Sequence, residues 1–259
     1  MPRWADRDRV SSAGRWDRPV DDGVLEGAAI PKYYAAKIAL TVLIDGLGVG
    51  AALPAERTLA ARMGVSRETL RAALQELAVE GRLRREGRKT VVSGPKLEQP
   101  LALASYTEAL AARGVRPGRR LVRRETLAAH DLLAADLAVP PSTAVVHLER
   151  VLLIDDEPIG LESTYLAECR VPRLARDFDP RTSLYAYLRS VGIELASADE
   201  RIETVLATPR EAAILTSAPA LPMLLLNRIS RDAAGRPVEC VRSLFRGDRF
   251  RLTARLLGT

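Results

Sequence analysis

The sequence predicts an α+β chain in two parts: a small helical unit closed by a basic hairpin, then a larger domain of antiparallel strands and short helices. Three features predict it. Apolar residues recur at helical spacing from residue 33 to 78, with breaks at GLGVGAALP and Gly64. RLRREGRKTVVSG then sets two β-prone runs around EGRK. Beyond KLEQP the period shifts to the two-residue alternation of strands, punctuated by turn-forming clusters.

Residues 1–29 mix Arg, Asp, Gly and Ser without periodicity and read as a disordered arm. Residues 33–45 read as the first helix, with Tyr34, Ile38 and Val42 facing inward beside Ala35 and Ala39. Residues 55–63 form the second, with Leu59, Ala60 and Met63 as its apolar residues, and Gly64 ends it. Ser66 is placed to cap the third helix by accepting a backbone N–H. In VSRETLRAALQELAVEG, Leu70, Ala73, Leu74, Leu77 and Ala78 make one stripe, while Arg67 and Arg71 stand a turn apart on another face with Glu68 and Gln75 beside them. Two short helices across a tight turn, followed by a hairpin, are a winged helix-turn-helix over residues 30–94.

Residues 95–100 read as a linker and residues 101–259 as the second domain. There SYTEALAARG is a helix, RRLVRRETLAA a strand, and DLLAADLAV a helix stopped by Pro140 and Pro141. AVVHLERVLLI and IGLESTYLAE are strands around the turn Asp155-Asp156-Glu157-Pro158. TSLYAYLRS is a helix, ELASADERIETVLA a long strand, and PREAAIL a helix opening on proline. LPMLLLNRISRD and PVECVRSLFRGD are strands flanking Ala233-Ala234-Gly235-Arg236.

Composition narrows the function. The chain of 259 residues carries a formal charge of +6, and the excess is local: residues 30–94 hold eleven basic and six acidic side chains. That points to an anionic partner for the helical unit. Aromatic content of 4% argues against a base-stacking single-strand binder. Cys169 and Cys240 stand alone, so neither a disulfide framework nor a zinc site is expected, and the reading is a cytoplasmic protein with no cofactor, no metal and no membrane span. His130 and His147 are isolated and read as structural. No nucleophile triad, H-E-x-x-H, P-loop or G-x-G-x-x-G pattern occurs. A non-specific nucleoid-packaging role fits poorly with the modest charge and the large second domain.

A winged helix-turn-helix lays its second helix in the major groove, so the partner expected is double-stranded operator DNA. Arg67 suits bidentate contact with guanine, Thr69 and Arg71 suit bases or phosphates, and Ser66 opens the helix whose N-terminus favours phosphate. Arg57 is placed to clamp the backbone or reach an adjoining base, and Gly87 lets the wing tip approach the minor groove. Arg88 and Lys89 either meet phosphate or form a solvated turn.

GAALPAERTLAARMGVSRETLRAALQELAVEGRLRREGRKTVV resembles the GntR-family DNA-binding domain, whose signature is G-x-x-L-P-(S/T/A)-E-R-x-L-A followed by G-V-S-R-x-T-(V/L)-R-x-A-L-x-x-L-x-x-E-G. Two positions depart from it. Glu68 stands where a neutral residue is usual, and a carboxylate there favours cytosine N4. Gly87-Arg88-Lys89 replaces a common G-R-G wing.

SYTEALAARGVRPG, LERVLLIDDEPIGLESTYL, TSLYAYL, ATPREAAIL and RPVECVRSLFRGDRFR resemble the UTRA effector domain of the HutC subfamily, which implies a chorismate-lyase-like α+β fold. Within it the chain is most similar to amino-sugar-phosphate-responsive repressors of the NagR and DasR type. That resemblance implies a small-molecule effector, a sugar phosphate or another anionic sugar, with Thr107, Arg150, Ser183 and Tyr185 around the anion and Glu239 on sugar hydroxyls. The sensors carry R-x-R where this chain has Arg150-Val151-Leu152, and tyrosine where it has Phe245, which is either a ligand contact or a core aromatic. Arg120 and Arg242 are the candidates to restore the missing charge. The expectation is a homodimeric repressor, not an enzyme, that leaves a palindromic operator when a metabolite binds; activation, a urocanate-like acid and a non-phosphorylated sugar are the alternatives, and a lyase the remote one.

Overall fold

The computed structural model describes residues 30–103, 110 and 115–256. The expected arm, and the helix expected over 105–114 apart from Leu110, lie outside the described residues, Thr107 included.

The N-terminal unit contains α1 (Lys32–Asp45), α2 (Glu56–Met63), α3 (Arg67–Val79), β1 (Leu83–Glu86) and β2 (Lys89–Val92). Gly64 caps α2 in the left-handed conformation (φ 63°), and Ser66 Oγ caps α3 by accepting from Thr69 N at 3.1 Å. The α3 stripe packs as its periodicity requires: Leu70, Ala73, Leu74 and Leu77 are buried with Leu59, Ala60, Leu83 and Val92. β1 and β2 pair from Leu83↔Val92 to Glu86↔Lys89, leaving Gly87-Arg88 as a two-residue turn. Gly87 takes φ 57°, the sign that the first position of such a turn needs.

The inward face expected for α1 is wrong. Ala36, Leu40 and Ile44 are buried, whereas Tyr34, Ile38 and Val42 are exposed, Ile38 by 50% and Val42 by 70%. KYYAAKIALTVLID is apolar on nearly every side, so its periodicity does not choose a face. Tertiary contacts choose it. Lys37 reaches Glu76 (2.8 Å) and Glu80 (2.5 Å) on α3, which orients α1 so that the small Ala36 and the branched Leu40 meet the α3 stripe.

The second domain is a six-stranded antiparallel sheet ordered β4-β5-β6-β9-β8-β7. Its strands are β4 (Pro117–Ala128), β5 (Ala144–Ile154), β6 (Glu157–Ala167), β7 (Ser197–Leu206), β8 (Pro222–Arg231) and β9 (Pro237–Arg246). The helices are α4 (Asp131–Asp136), α5 (Leu174–Asp177), α6 (Leu184–Ser190) and α7 (Pro209–Ile214). β5 is buried on both faces: Val146 and Leu148 pack with Leu184 and Leu188 of α6, while Val145 packs with α4 and Val151 with α7. The turn between β5 and β6 is tighter than expected. Ile154 already pairs with Glu157, and Asp155 and Asp156 both take positive φ (45° and 69°), as a two-residue turn demands.

The expected linker is not a free tether. β3 (Leu97–Pro100) pairs in parallel with β10 (Phe250–Thr253), a C-terminal strand the sequence pattern did not reveal. The reason is chemical: Leu97, Phe250 and Leu252 join a cluster with Leu152, Leu226 and Phe245, burial enough to order a short segment. The two units also touch where β9 runs into β10. Lys96 Nζ donates to Gly247 O at 2.7 Å, and Gly81 (φ 78°) sits so near the Asp248 carbonyl that a Cβ would overlap it. Arg246 holds this corner with a bidentate bond to Asp248 (3.0 and 2.7 Å) and a third to Pro158 O (3.1 Å).

The assignment of the α1 face is testable. Leu40→Ala should cost about 2–5 kcal/mol, the range for a buried leucine, whereas Ile38→Ala and Val42→Ala should stay within about 0.5 kcal/mol, as surface changes do. Urea denaturation of the three variants gives the ranking, and the reverse order contradicts the packing.

Candidate functional site

Two surfaces hold the residues singled out by sequence. On the N-terminal unit, Arg57, Arg67, Glu68, Arg71, Arg88 and Lys89 are exposed, and Thr69 is half-buried. Ser66 and Thr69 spend their hydroxyls on each other (2.8 Å) and on the α3 cap, so both are structural in the unbound chain. Glu56, which the sequence reading passed over, organises this face. Its carboxylate accepts from Arg71 Nε at 2.9 Å and lies 3.5 Å from Arg85, tying α2 to α3 and to the wing. The Arg71 hydrogen bond, with the charges of Arg71, Arg85 and Arg67, holds its carboxyl below the usual range. Among the described residues, the side chains of Arg57, Arg67, Arg88 and Lys89 make no hydrogen bond or ion pair. Solvated guanidinium and ammonium groups at a helix N-terminus and a hairpin tip are ready to exchange water for phosphate or base edges.

On the second domain a cavity of about 70 Å³ opens between the sheet, α6 and the β3–β10 pair. Arg150, Ser183, Tyr185, Glu239 and Phe245 line it; Thr107 lies outside the described residues. The strands bring them together by alternation: Arg150 and Leu152 of β5 emerge on the face of Glu162 and Thr164 of β6, Glu239 and Phe245 of β9, and Arg228 of β8.

Its charges neutralise one another. Arg150, 2% exposed, pairs with Glu162, and Arg228 makes a bidentate pair with Glu200 (2.9 and 3.0 Å). Tyr185 Oη and Ser230 Oγ each donate to Glu239 Oε1 at 2.8 Å, and Arg228 reaches Tyr185 Oη at 3.4 Å. Burial pushes the Glu239 carboxyl above its ordinary value, outweighing the hydrogen bonds that oppose it. For Glu162 burial acts in the same direction, but Arg150 and Arg119 outweigh it and keep the group below the ordinary range. Arg150 Nε and Thr164 Oγ1 are among the buried polar atoms on cavity-lining residues that have no hydrogen-bond partner.

Sequence reasoning missed Arg119, Glu162, Thr164, Glu200 and Arg228 on this wall. Period-two alternation was the available signal for Glu162 and Thr164. The candidates to replace the missing arginine are corrected. Arg120 is exposed, and Arg242 emerges on the other side of the sheet, where it bonds Glu211 at 3.0 Å. Phe245 is a core aromatic, stacked on Phe250 at 4.0 Å, that also lines the cavity. The histidines are structural: His130 Nδ1 accepts from Leu133 N to cap α4, and His147 stacks on Tyr165 beside Glu125.

Family models divide the chain along the same lines. Residues 36–92 match bacterial regulatory proteins of the gntR family, and residues 112–251 match the UTRA domain. The HTH-type transcriptional repressor PhnF of Mycolicibacterium smegmatis is 45% identical over 88% of this chain and 94% of its own length. The chain belongs to the GntR family. It carries a HutC-type UTRA domain and is a DNA-binding transcriptional regulator, not an enzyme. The HTH-type transcriptional repressor NagR of Bacillus subtilis is 35% identical over 85% of this chain and 93% of its own length. The crystal structure of PhnF from Mycobacterium smegmatis superposes with a TM-score of 0.64 at 44% identity, covering 86% of this chain and all of that one. Among the described residues of this GntR protein, no helix is long and apolar enough to cross a membrane.

The raised proton affinity of Glu239 has a measurable sign. An acid that binds its proton more tightly folded than unfolded withdraws stability as pH climbs through both values. Glu239→Gln, which still offers Tyr185 and Ser230 an acceptor, should therefore raise the melting temperature at about pH 7.5 and change it little at about pH 4. Equal shifts at both pH values contradict this.

Proposed function

We propose that this regulator is a homodimeric repressor that holds a palindromic operator through α3 and the wing, and releases it when an anionic sugar, foremost a sugar phosphate, enters the UTRA cavity. The observation that carries the reading is the shared wall. Gln99, Pro100 and Leu101 on the connecting segment, with Phe250 and Leu252 of β10, line the cavity that Arg150 and Glu239 furnish. At about 70 Å³ it is small beside the roughly 300–1,000 Å³ of small-molecule sites, and in this reading the occupant displaces a wall. The β3–β10 pair, only four residues long, is the wall this reading moves. Its movement passes to Gly247 and Asp248, on which Lys96 and Gly81 rest, and so to the DNA-binding unit. A coupling of about 1–3 kcal/mol is enough to empty an operator.

On DNA, Arg67 takes guanine O6 and N7, Thr69 and Arg71 take neighbouring bases or phosphates, and Arg57 clamps the backbone. Arg71 exchanges its Glu56 partner for DNA at small cost, because exposed ion pairs are weak. Glu68 selects cytosine, Ser66 keeps α3 capped, and Gly87 brings Arg88 and Lys89 to the minor-groove phosphates. In the cavity, Arg150, Ser183 and Tyr185, with Thr107, surround the anion, Glu239 accepts from sugar hydroxyls, and Phe245 packs against the ring. Repression rather than activation follows the relatives PhnF and NagR, both transcriptional repressors. Two-fold pairing of monomers matches the two half-sites of a palindrome.

Fluorescence anisotropy on a palindromic upstream site at two salt concentrations tests the DNA half. Arg67→Ala should cost about 1–3 kcal/mol and relax preference at one base pair. Arg88→Ala and Lys89→Ala should each lower the salt slope by about 1 without changing preference. Absence of any sequence preference in the parent protein contradicts the reading. A thermal-shift screen of sugar phosphates, free sugars, sulfonated sugars and urocanate-like acids tests the effector half, since a ligand of the native state raises stability by mass action.

A further inference from the structure

The cavity lacks the arginine that two-guanidinium sensors carry on β5, because Leu152 occupies that position and is buried against Ile159, Phe245 and Phe250. Directly across the β4–β5 ladder from Leu152 stands Arg119. Residues opposed in an antiparallel pair share a face, with Cβ atoms about 4.5–5.5 Å apart. Arg119 therefore leaves the sheet beside Leu152, on the face that carries Arg150, and it lines the same cavity as Arg150 and Glu162. Its charge acts on Glu162 together with that of Arg150. Glu162 sits among these cations as an internal anion, bonded to Arg150. Arg150 Nε and Thr164 Oγ1, buried on cavity-lining residues, have no acceptor or donor opposite them. A guanidinium edge and a hydroxyl left unused at one wall are the places an oxyanion fills.

We infer that Arg119 supplies the second guanidinium of the effector's anion site from the neighbouring strand. Arg119 and Arg150 then form a clamp across β4 and β5, with Glu162 as resident counter-ion, that takes a tetrahedral phosphate headgroup. The inference rests on the reading of the cavity as the effector site and adds the residue that fixes its selectivity. When the headgroup arrives its oxygens replace the Glu162 carboxylate on Arg150, and Glu162 turns to a hydroxyl of the ligand. Moving the second cation by one strand, roughly 4.8 Å, displaces the centre of the pair by about half that distance toward β4. The clamp therefore prefers ligands whose phosphate lies farther from the ring-binding side at Glu239 than in sensors with both arginines on β5.

Free phosphate and a phosphate ester share this chemistry, and titration calorimetry on the full chain with inorganic phosphate, glucosamine 6-phosphate and glucosamine separates them. The parent protein should bind a phosphate-bearing probe, and glucosamine should bind at least tenfold more weakly than glucosamine 6-phosphate. Arg119→Leu should weaken the phosphate probes more than tenfold, and Arg119→Lys should do so less. The double variant Arg119→Leu/Leu152→Arg, which returns the second guanidinium to β5, should recover most of the loss. Arg119→Lys, which keeps the stem and the charge, keeps the test decisive if Arg119→Leu folds poorly. Unchanged phosphate binding in Arg119→Leu, or no recovery in the double variant, overturns the clamp and leaves the effector reading standing. If the parent binds neither phosphate probe and a phosphate-free acid releases the operator instead, the headgroup class is wrong and the inference falls with the sugar-phosphate reading.

Discussion

Two four-residue strands, Leu97–Pro100 and Phe250–Thr253, hold together the parts of this regulator that read DNA and sense a metabolite. Their pairing is parallel, so neither can be formed without bringing the chain's connecting segment alongside its C-terminal end. Leu97 N donates to Arg249 O and Leu101 N to Thr253 O, both at 2.8 Å, and apolar side chains from both strands enter the second domain's core. A flexible tether would let the DNA-binding unit ignore the state of the cavity. In the proposed mechanism, a strand that is both tether and cavity wall cannot.

The second constraint is electrostatic. The cavity places Arg119, Arg150 and Arg228 beside Glu162, Glu200 and Glu239 in a small, largely buried space. Ionised groups there are tolerated only when paired, and Arg228–Glu200 and Arg150–Glu162 are paired. Glu239 escapes by a different route, its carboxyl pushed toward the neutral form by burial. The result is a site with internal counter-ions that a ligand must compete with. Affinity in such a site comes from exchanging one set of charge-assisted bonds for another, which favours ligands that match the geometry over those that only carry charge.

The helix-turn-helix was legible because local rules decide it: Ser66 at the cap, Gly64 at the turn, and one unambiguous stripe on α3. The strands of the second domain were legible for the same reason, from alternation and turn residues. The face of α1 was not, since an evenly apolar helix takes its rotation from a partner, here through Lys37 and the two glutamates of α3. β10 and the strand character of residues 97–100 were hidden because their pairing joins segments some 150 positions apart. In the cavity, the motif-bearing residues Arg150, Ser183, Tyr185 and Glu239 were recoverable from resemblance. Arg119, Glu200 and Arg228 were not, because their place depends on cross-strand register rather than on neighbours in the chain.

Hydrogen exchange on the operator-free protein, with and without glucosamine 6-phosphate, addresses the shared wall most directly. If occupancy acts through the β3–β10 pair, the amides of residues 97–101 and 250–253 change protection on binding, while the buried core of α3 around Leu70 and Leu77 does not. Operator release by the same compound with protection at those two strands unaltered would contradict the account.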